Sequence, residues 1–455
     1  MLEFINKYLL GISVPCSLMA AGIYFLFKLR FFPITQFSQI ARALTKNGKA
    51  SFRALALSLA GTLGVGNIVG VASAIYSGGF GAIFWMWVSA LVAAILKYAE
   101  IVLAMRRRVP SESGFKGGAM YYIRSSLSEK FPKLGKVLAA VFAFFCIINC
   151  FSMGAVMQTN AISEAFSGAW NVSGVFCGLA LAAVTFFILC GGSKYIMALT
   201  SALVPFLSVL YIVLSLGVII PRAQMLPSVL KQIFVSAFTP ESAAGGIFGF
   251  LLSRALRFGV MRGLFSNEAG CGTSPTAHIS SESAPCEQGF MGIVEVFIDT
   301  VLLCSMTGFA VMLRYSEVAH LGESPMKMVL KAYSGAFTPL LGNFIEGAMA
   351  FMVLCFGFAT VSCLSHYAFE CLEFLLRKKT GRGVLIFLYC GAVFLGAVTD
   401  SAWAWAVSDL TVGTMTLVNL AVLLYCRDEI AGETQGYFAK KKNISCFDKK
   451  FTKSS

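Results

Sequence analysis

Apolar residues fill the chain in long stretches separated by short polar connections. Stretches long enough to cross a hydrocarbon layer of about 30 Å run over residues 8 to 29, 54 to 76, 80 to 105, 136 to 166, 172 to 190, 195 to 220, 246 to 283, 288 to 313, 339 to 376, 383 to 400 and 403 to 426. That pattern predicts an all-α polytopic membrane protein with about eleven transmembrane helices by the length criterion. Two stretches are interrupted from within. The second holds Gly61, Gly64, Gly66 and Gly70 around Thr62, Leu63 and Asn67, and the seventh holds Ser266, Asn267, Glu268, Ala269, Gly270, Cys271, Gly272, Thr273, Ser274 and Pro275. Glycine weakens a helix by roughly 1 kcal/mol relative to alanine. Freed backbone is tolerated at membrane depth only where it is buried in protein or lines a polar cavity.

With the first span set aside, ten remain, and the interrupted span opens each group of five. Such a pair in corresponding positions points to inverted repeats with a binding site near the membrane midplane. The expected organisation is an extra helix and loop over 1–50, a first repeat over 51–225, a second over 226–426 and a basic tail over 427–455. Close helix packing is the competing reading, since Gly66 and Gly70 have GxxxG spacing. The matched pair, with Pro275, Asn267 and Glu268 in the second member, favours two discontinuous helices. The second break is expected over Phe265 to Thr273, with Gly245 and Gly246 as a rival position. Arg254, Arg257 and Arg262 precede it in the same helix, and Arg254 and Arg257 share a face that needs a water-filled vestibule or acidic partners.

Composition excludes an ordinary soluble protein: 57% of residues are hydrophobic and 13% charged, against about 25% charged in soluble domains, and the mean hydropathy is +0.78. A net charge of +14 invites a nucleic-acid reading, but the basic residues alternate by loop. Arg42, Lys46, Lys49 and Arg53 share one loop, and Arg106 to Arg108, Lys116, Arg124, Lys130 and Lys133 another. Lys194 marks a third, Arg377 to Lys379 with Arg382 a fourth, and Lys440 to Lys442, Lys449 and Lys450 the tail. The positive-inside rule then places the N-terminus outside and the C-terminus inside a cell membrane, with the lipid bilayer and no nucleic acid as partner. The tail is expected to be disordered or to lie on the anionic inner leaflet. Lys28 and Arg30 follow the first span instead of preceding it, so it reads as a retained helix. Most of the 14 cysteines fall within helices and read as reduced apolar residues.

Broken helices suit a zwitterion and a small cation, because half-helix N-termini offer N–H groups to a carboxylate and half-helix C-termini offer carbonyls to sodium. Thr62, Leu63 and Gly64 supply such backbone, and Asn67 adds a neutral oxygen. The Thr360 hydroxyl is a further cation ligand, or is bonded to its own helix. Gln158, in a span that also carries Asn149, Ser152 and Asn160, binds a substrate amine or acts as interhelical glue worth about 0.6 kcal/mol. Glu295 and Asp299 share a face, and pairing with the arginines of the preceding helix is favoured over proton relay. Lys97 and Glu100 read as a snorkelling pair. The glycines do not match a dinucleotide fingerprint, because no strand precedes them. His278, His320 and His366 are too scattered for a metal cluster, and no nucleophile has a visible base. Neither an enzyme nor a cofactor is expected.

GTLGVGNIVGVASAI (Gly61 to Ile75), GGFGAIFWMW (Gly78 to Trp87) running on to KYAE (Lys97 to Glu100), GGAMYYI (Gly117 to Ile123), RGLFSNEAGCGTSP (Arg262 to Pro275) and VFIDT (Val296 to Thr300) resemble the alanine or glycine:cation symporter family, the sodium:alanine symporters. The resemblance covers nearly the whole chain after about residue 50. It implies the LeuT-type fold, with ten core helices in a 5+5 inverted repeat and alternating access. It also implies that the amino acid lies among Thr62, Gly64, Gly66, Gln158, Phe265, Ser266, Asn267, Gly270, Thr360 and Leu364, with sodium, the coupling ion, at Leu63, Asn67 and Thr360. Relatives usually carry tryptophan where this chain has Leu364, which implies a larger pocket here. The resulting expectation is a sodium-coupled importer of a small neutral amino acid, alanine or glycine. The alternatives are coupling to protons or a larger substrate such as glutamine or serine and, more remotely, an ion channel. Sequence does not give the oligomeric state.

Overall fold

A computed structural model describes residues 4–36, 40, 59, 61–111, 114–191, 194–238, 253–376 and 381–451. Its elements are almost all helical. After α1 (Gly11–Lys28) the chain enters α2 (Val69–Gly78), α3 (Gly81–Arg106) and α4 (Ala119–Ser128). Then come α5 (Pro132–Asn149), α6 (Met157–Trp170), α7 (Gly174–Gly191), α8 (Lys194–Ile219) and α9 (Leu226–Ala237). The second part holds α10 (Arg254–Asn267), α11 (Pro285–Val296), α12 (Ser305–Met312), α13 (Pro325–Ser334), α14 (Pro339–Leu376), α15 (Arg382–Val398), α16 (Ala402–Tyr425) and α17 (Arg427–Phe451). Proline stands in the first turn of α5, α11 and α13, where its missing N–H costs nothing.

Among the described residues, eight helices are long and apolar enough to cross a membrane, and two shorter apolar ones, Val65–Gly78 and Arg382–Val398, accompany them. Most expected spans coincide with these helices to within a few residues, whereas 54–76, 195–220 and 246–283 differ from Val65–Gly78, Val204–Ala237 and Arg254–Asn267 by ten residues or more at one end. The count of eleven is not reached on length, because the helices beside the two breaks are short. Lipid tails are as apolar as leucine, which accounts for exposed Phe176, Phe187, Phe206 and Phe387 on the outside of the bundle. Inside, α3 packs against α10 and α11, α6 against α14, and α7 against α15.

Besides the π-helical segment Ile5–Leu10 that leads into α1, two lie within the bundle, at Cys150–Val156 between α5 and α6 and at Phe297–Cys304 between α11 and α12. A π-bulge rotates the residues that follow it relative to those before and is common at functional sites. One bulge precedes Gln158 and the other contains Asp299 and Thr300. Sequence periodicity gave no sign of either.

Two peripheral expectations change. A short antiparallel ribbon pairs β1 (Val109–Ser111) with β2 (Gly114–Lys116), Val109 opposite Lys116, and Lys116 reaches Glu373 at 2.5 Å. The tail is helical from Arg427, because it has something to dock on. Arg107 pairs with Glu429 at 2.6 Å, Arg106 bonds Glu429 and Glu433, and Lys28 meets Asp428 at 2.6 Å. Ile430 and Thr434 are buried, and Phe438 packs on Phe32 and Phe290. The described cysteines are free thiols. The basic loop at Arg42 to Arg53, Arg377 to Lys379 and the rival break at Gly245 and Gly246 lie outside the described residues.

Candidate functional site

The helical turn at Gly61 and Thr62 stops at Leu63, whose N–H donates to the Leu59 carbonyl at 2.7 Å. Gly64 is extended, Val65–Asn67 form one 3-10 turn, and α2 resumes at Val69. The break is thus where the glycine run predicts it. A methyl group on Gly64 would sit 2.4 Å from Thr360 Oγ1 and 3.1 Å from Gln158 Oε1, so no side chain fits there. Gln158 Oε1 accepts the Val65 N–H at 3.1 Å, and its Nε2 donates to the Met153 carbonyl at 3.1 Å. The glutamine therefore ties α6 to the break. The Thr360 hydroxyl faces Gly64 while donating to its own helix at Phe356 O, 3.2 Å away. Asn149 and Asn160 serve other contacts, with Thr411 and the Thr399 carbonyl.

The second break lies slightly later than expected. Phe265, Ser266 and Asn267 remain helical, and the unwound stretch runs from Glu268 to Ser274. Glu268 has φ of +52°, Gly270 +95° and Gly272 +83°; the last two favour glycine, which has no Cβ to clash. The freed groups find side chains. Asn419 donates to the Gly270 carbonyl at 3.0 Å and also to Glu100, and the Gly272 N–H donates to Glu100 Oε1 at 2.9 Å. Asn267 Oδ1 accepts the Ala269 N–H at 3.0 Å, and the Thr273 hydroxyl donates to Glu268 Oε2 at 2.6 Å.

Four acids set the electrostatics, and their partners correct the sequence reading. Asp299 accepts from Asn67 Nδ2 at Oδ1 (2.7 Å) and from Ser266 and Thr300 hydroxyls at Oδ2 (2.7 and 2.8 Å). Glu295 pairs with Lys97 at 2.8 Å and accepts the Thr62 hydroxyl at 2.8 Å. Among the described residues neither acid takes an arginine, and Arg262 turns outward to Asp409, held at 2.8 and 3.3 Å. Lys97 and Glu100 do not snorkel: both are fully buried at 0% exposure, and each bonds the second break. Their place near one end of a long apolar run concealed this, since depth along a helix says nothing about which face meets a neighbouring break. Arg257 lies over Phe258 at 4.9 Å.

On the side facing α16, Phe265 lies over Gly66, where an added methyl would be 3.1 Å from its ring, and meets Trp405 with centroids 4.8 Å apart and the rings tilted by 39°. The Arg262 guanidinium covers the other part of Trp405 at 4.0 Å. Leu364 is fully buried beside Gly154 and Tyr389, one turn beyond Thr360. The contacts bring Gly64 together with Gln158 and Thr360, Gly66 with Phe265, and Asn67 with Ser266 through Asp299, whereas Gly270 packs by Leu18, Leu96 and Leu420 and Leu364 by Gly154.

A cavity of about 10 Å³ lies between Leu63, Gly64, Asn67 and Ile68 on one side and Tyr211, Leu303 and Phe356 on the other. That is the space of a single water. Asn67 Oδ1 is buried and has no hydrogen-bond partner. The walls of this space are apolar, so it offers that oxygen no partner; an unpaired buried oxygen is costly and suits a small hard cation or a water. Among the described residues, Glu268 Oε1 and Glu100 Oε2 are buried without hydrogen-bond partners, as is Asn67 Oδ1.

Residues 1–452 match the model of the sodium:alanine symporter family. The chain is 32% identical to the sodium/alanine symporter AgcS of Methanococcus maripaludis over 96% of its length and 97% of the relative's. It is also 32% identical to the probable sodium/glutamine symporter GlnT of Bacillus subtilis, over 93% of this chain and 87% of that one. In structure it is similar to the manganese transporter of Eremococcus coleocola, with a TM-score of 0.50 and 13% identity, covering 85% of this chain and 92% of that one. That likeness concerns the fold alone.

Proposed function

The chain belongs to the sodium:alanine symporter family, and on that premise we propose that it imports a small neutral amino acid, alanine or glycine, down a sodium gradient by alternating access. It is a multi-pass membrane protein and a transporter, not an enzyme, by family. The single observation that carries the finer reading is the joining of two broken helices by one buried carboxylate, Asp299, beside an Asn67 oxygen that has no hydrogen-bond partner among the described residues.

In this reading sodium occupies the space at Leu63 and Asn67, with the Thr360 hydroxyl turned from Phe356 to the ion. The amino acid lies across the two breaks. The main-chain N–H groups of Gly64 and Gly66 meet its carboxylate, the carbonyl ends of the first-break and α10 helices meet its ammonium, and Phe265 with Trp405 covers its side chain. Alternating access then moves the broken helices against the scaffold of α5, α6, α14 and α15, two sets of five helices around one site. Leu364, where relatives usually carry tryptophan, leaves room behind Thr360.

The name of the glutamine-type relative keeps a larger substrate as the rival. Uptake of labelled alanine, glycine, serine and glutamine into proteoliposomes decides between them. Preference for alanine or glycine supports the reading, and preference for glutamine replaces it with the larger-substrate one.

A further inference from the structure

Lys97 stands at a crossing that the site description leaves without a purpose. It lies in the second half of the apolar helix α3 at 0% exposure, and a charge so buried is retained only where it is paired or functional. Its ammonium donates to the Asn267 carbonyl at 2.9 Å, the last helical carbonyl before the second break, and meets Glu295 Oε1 at 2.8 Å. The same Glu295 oxygen accepts the Thr62 hydroxyl at 2.8 Å, immediately before the first break. His278, just past the second break, approaches the other Glu295 oxygen at 3.6 Å, and its Nδ1 lies 2.7 Å from Gln288. Thr62, Glu295, Lys97 and Asn267 thus form one unbroken chain of contacts from one discontinuous helix to the other.

We propose that Lys97 is a positioning residue that transmits occupancy of the first break to the second through Glu295. This rests on the transport reading above but adds to it a physical link between the sites. A cation settling by Leu63 and Asn67 fixes the backbone beside Thr62. Thr62 fixes one oxygen of Glu295, and Glu295 fixes the ammonium that holds the Asn267 carbonyl. The Asp299 bridge joins Asn67 to Ser266 directly, so the Lys97 relay is the second strand of the connection, on the other side of the breaks. Its distinguishing feature is that it pulls on a main-chain carbonyl, the group whose direction changes when α10 lengthens or unwinds.

The test is hydrogen exchange of the full-length protein in nanodiscs, with sodium or potassium chloride as the only added ligand. In the wild type, sodium should slow exchange over both 61–70 and 262–275. Lys97→Met alone changes the charge balance around Glu295 as well as the contact with Asn267, so the informative variant is Lys97→Met/Glu295→Gln, which removes both charges and keeps the volumes. Without ligand, its amides at 268–274 should exchange roughly tenfold faster or more, because the Asn267 carbonyl is released. With sodium, protection should persist at 61–70 and vanish at 262–275. Sodium protection at 262–275 equal to wild type in the double variant overturns the proposal, as does unchanged ligand-free exchange. If the double variant is not recovered from membranes, Thr62→Val must show the same loss of transmission, since it cuts the relay at its other end. A wild type unprotected by sodium in either segment contradicts the sodium reading, while the ligand-free arm still decides the role of Lys97.

Discussion

Asn67 and Asp299 face each other across the first break, with the asparagine amide 2.7 Å from one carboxylate oxygen and 3.1 Å from the same residue's main-chain carbonyl. The second carboxylate oxygen takes Ser266, from the other broken helix. One side chain on a π-helical segment therefore holds both interruptions at once. Asp299→Ala would strand the donors of Asn67, Ser266 and Thr300, at about 1–3 kcal/mol each. The expected outcome is a lowered melting temperature with loss of uptake, and Asp299→Asn should recover most of the stability. Melting of both variants in detergent checks this, and an unshifted Asp299→Ala would contradict it.

Gly64 tolerates no side chain, since a methyl there would be 2.4 Å from the Thr360 hydroxyl. Gly64→Ala should reach the membrane in normal amount and transport nothing. Thr360→Val keeps shape and removes the hydroxyl, so apparent sodium affinity should fall more than amino-acid affinity at saturating sodium. Sodium titrations of uptake measure both, and an unchanged sodium dependence of Thr360→Val would remove it from the cation site.

Much of this arrangement was legible in the chain. The first break follows from four glycines in one apolar run, and Gln158 and Ser266 were named because polar groups stay costly in lipid. The acids were seen, but their partners were not. Glu295 and Asp299 lie after three arginines, and proximity in sequence suggested pairing, whereas the structure turns Arg262 to Asp409, 147 residues away, and gives Glu295 to Lys97. The π-helical segments that aim Asp299 inward add a residue to a turn without changing apolar composition, so no periodicity reveals them. The tail looked disordered because its basic end dominated the reading, while Ile430, Thr434 and Phe438 near its start carry the docking face.

Leu364 has its side chain packed beside Gly154 and Tyr389. Leu364→Trp should narrow transport towards glycine and alanine, within the roughly 1–3 kcal/mol available per hydrophobic group. Overpacking should also destabilise it by about 1–3 kcal/mol. Competition by glycine, alanine, serine and glutamine against one labelled substrate reads the first effect and thermal melting the second. An identical ranking would place the pocket wall elsewhere.

The tail helix is held by charge as well as by its buried face, so salt and acid should loosen it. The hydrogen bond from Lys28 keeps the Asp428 carboxyl below its ordinary value. Its contribution to docking is therefore present above the unfolded value of about 3.9 and lost as pH falls through the depressed one. Glu429→Lys, which turns the contacts with Arg106 and Arg107 into repulsion, should detach the helix at neutral pH. Limited proteolysis after Tyr425 would show faster cleavage in that variant and in high salt, and equal rates would contradict the docking.

The most direct test of the central claim is uptake of labelled alanine into proteoliposomes under an inward sodium gradient, with proton gradient and voltage clamped by ionophores. The account predicts accumulation above equilibrium that disappears when the sodium gradient is collapsed and that excess glycine suppresses. Accumulation driven by a proton gradient without sodium, or a sodium current that needs no amino acid, would contradict it.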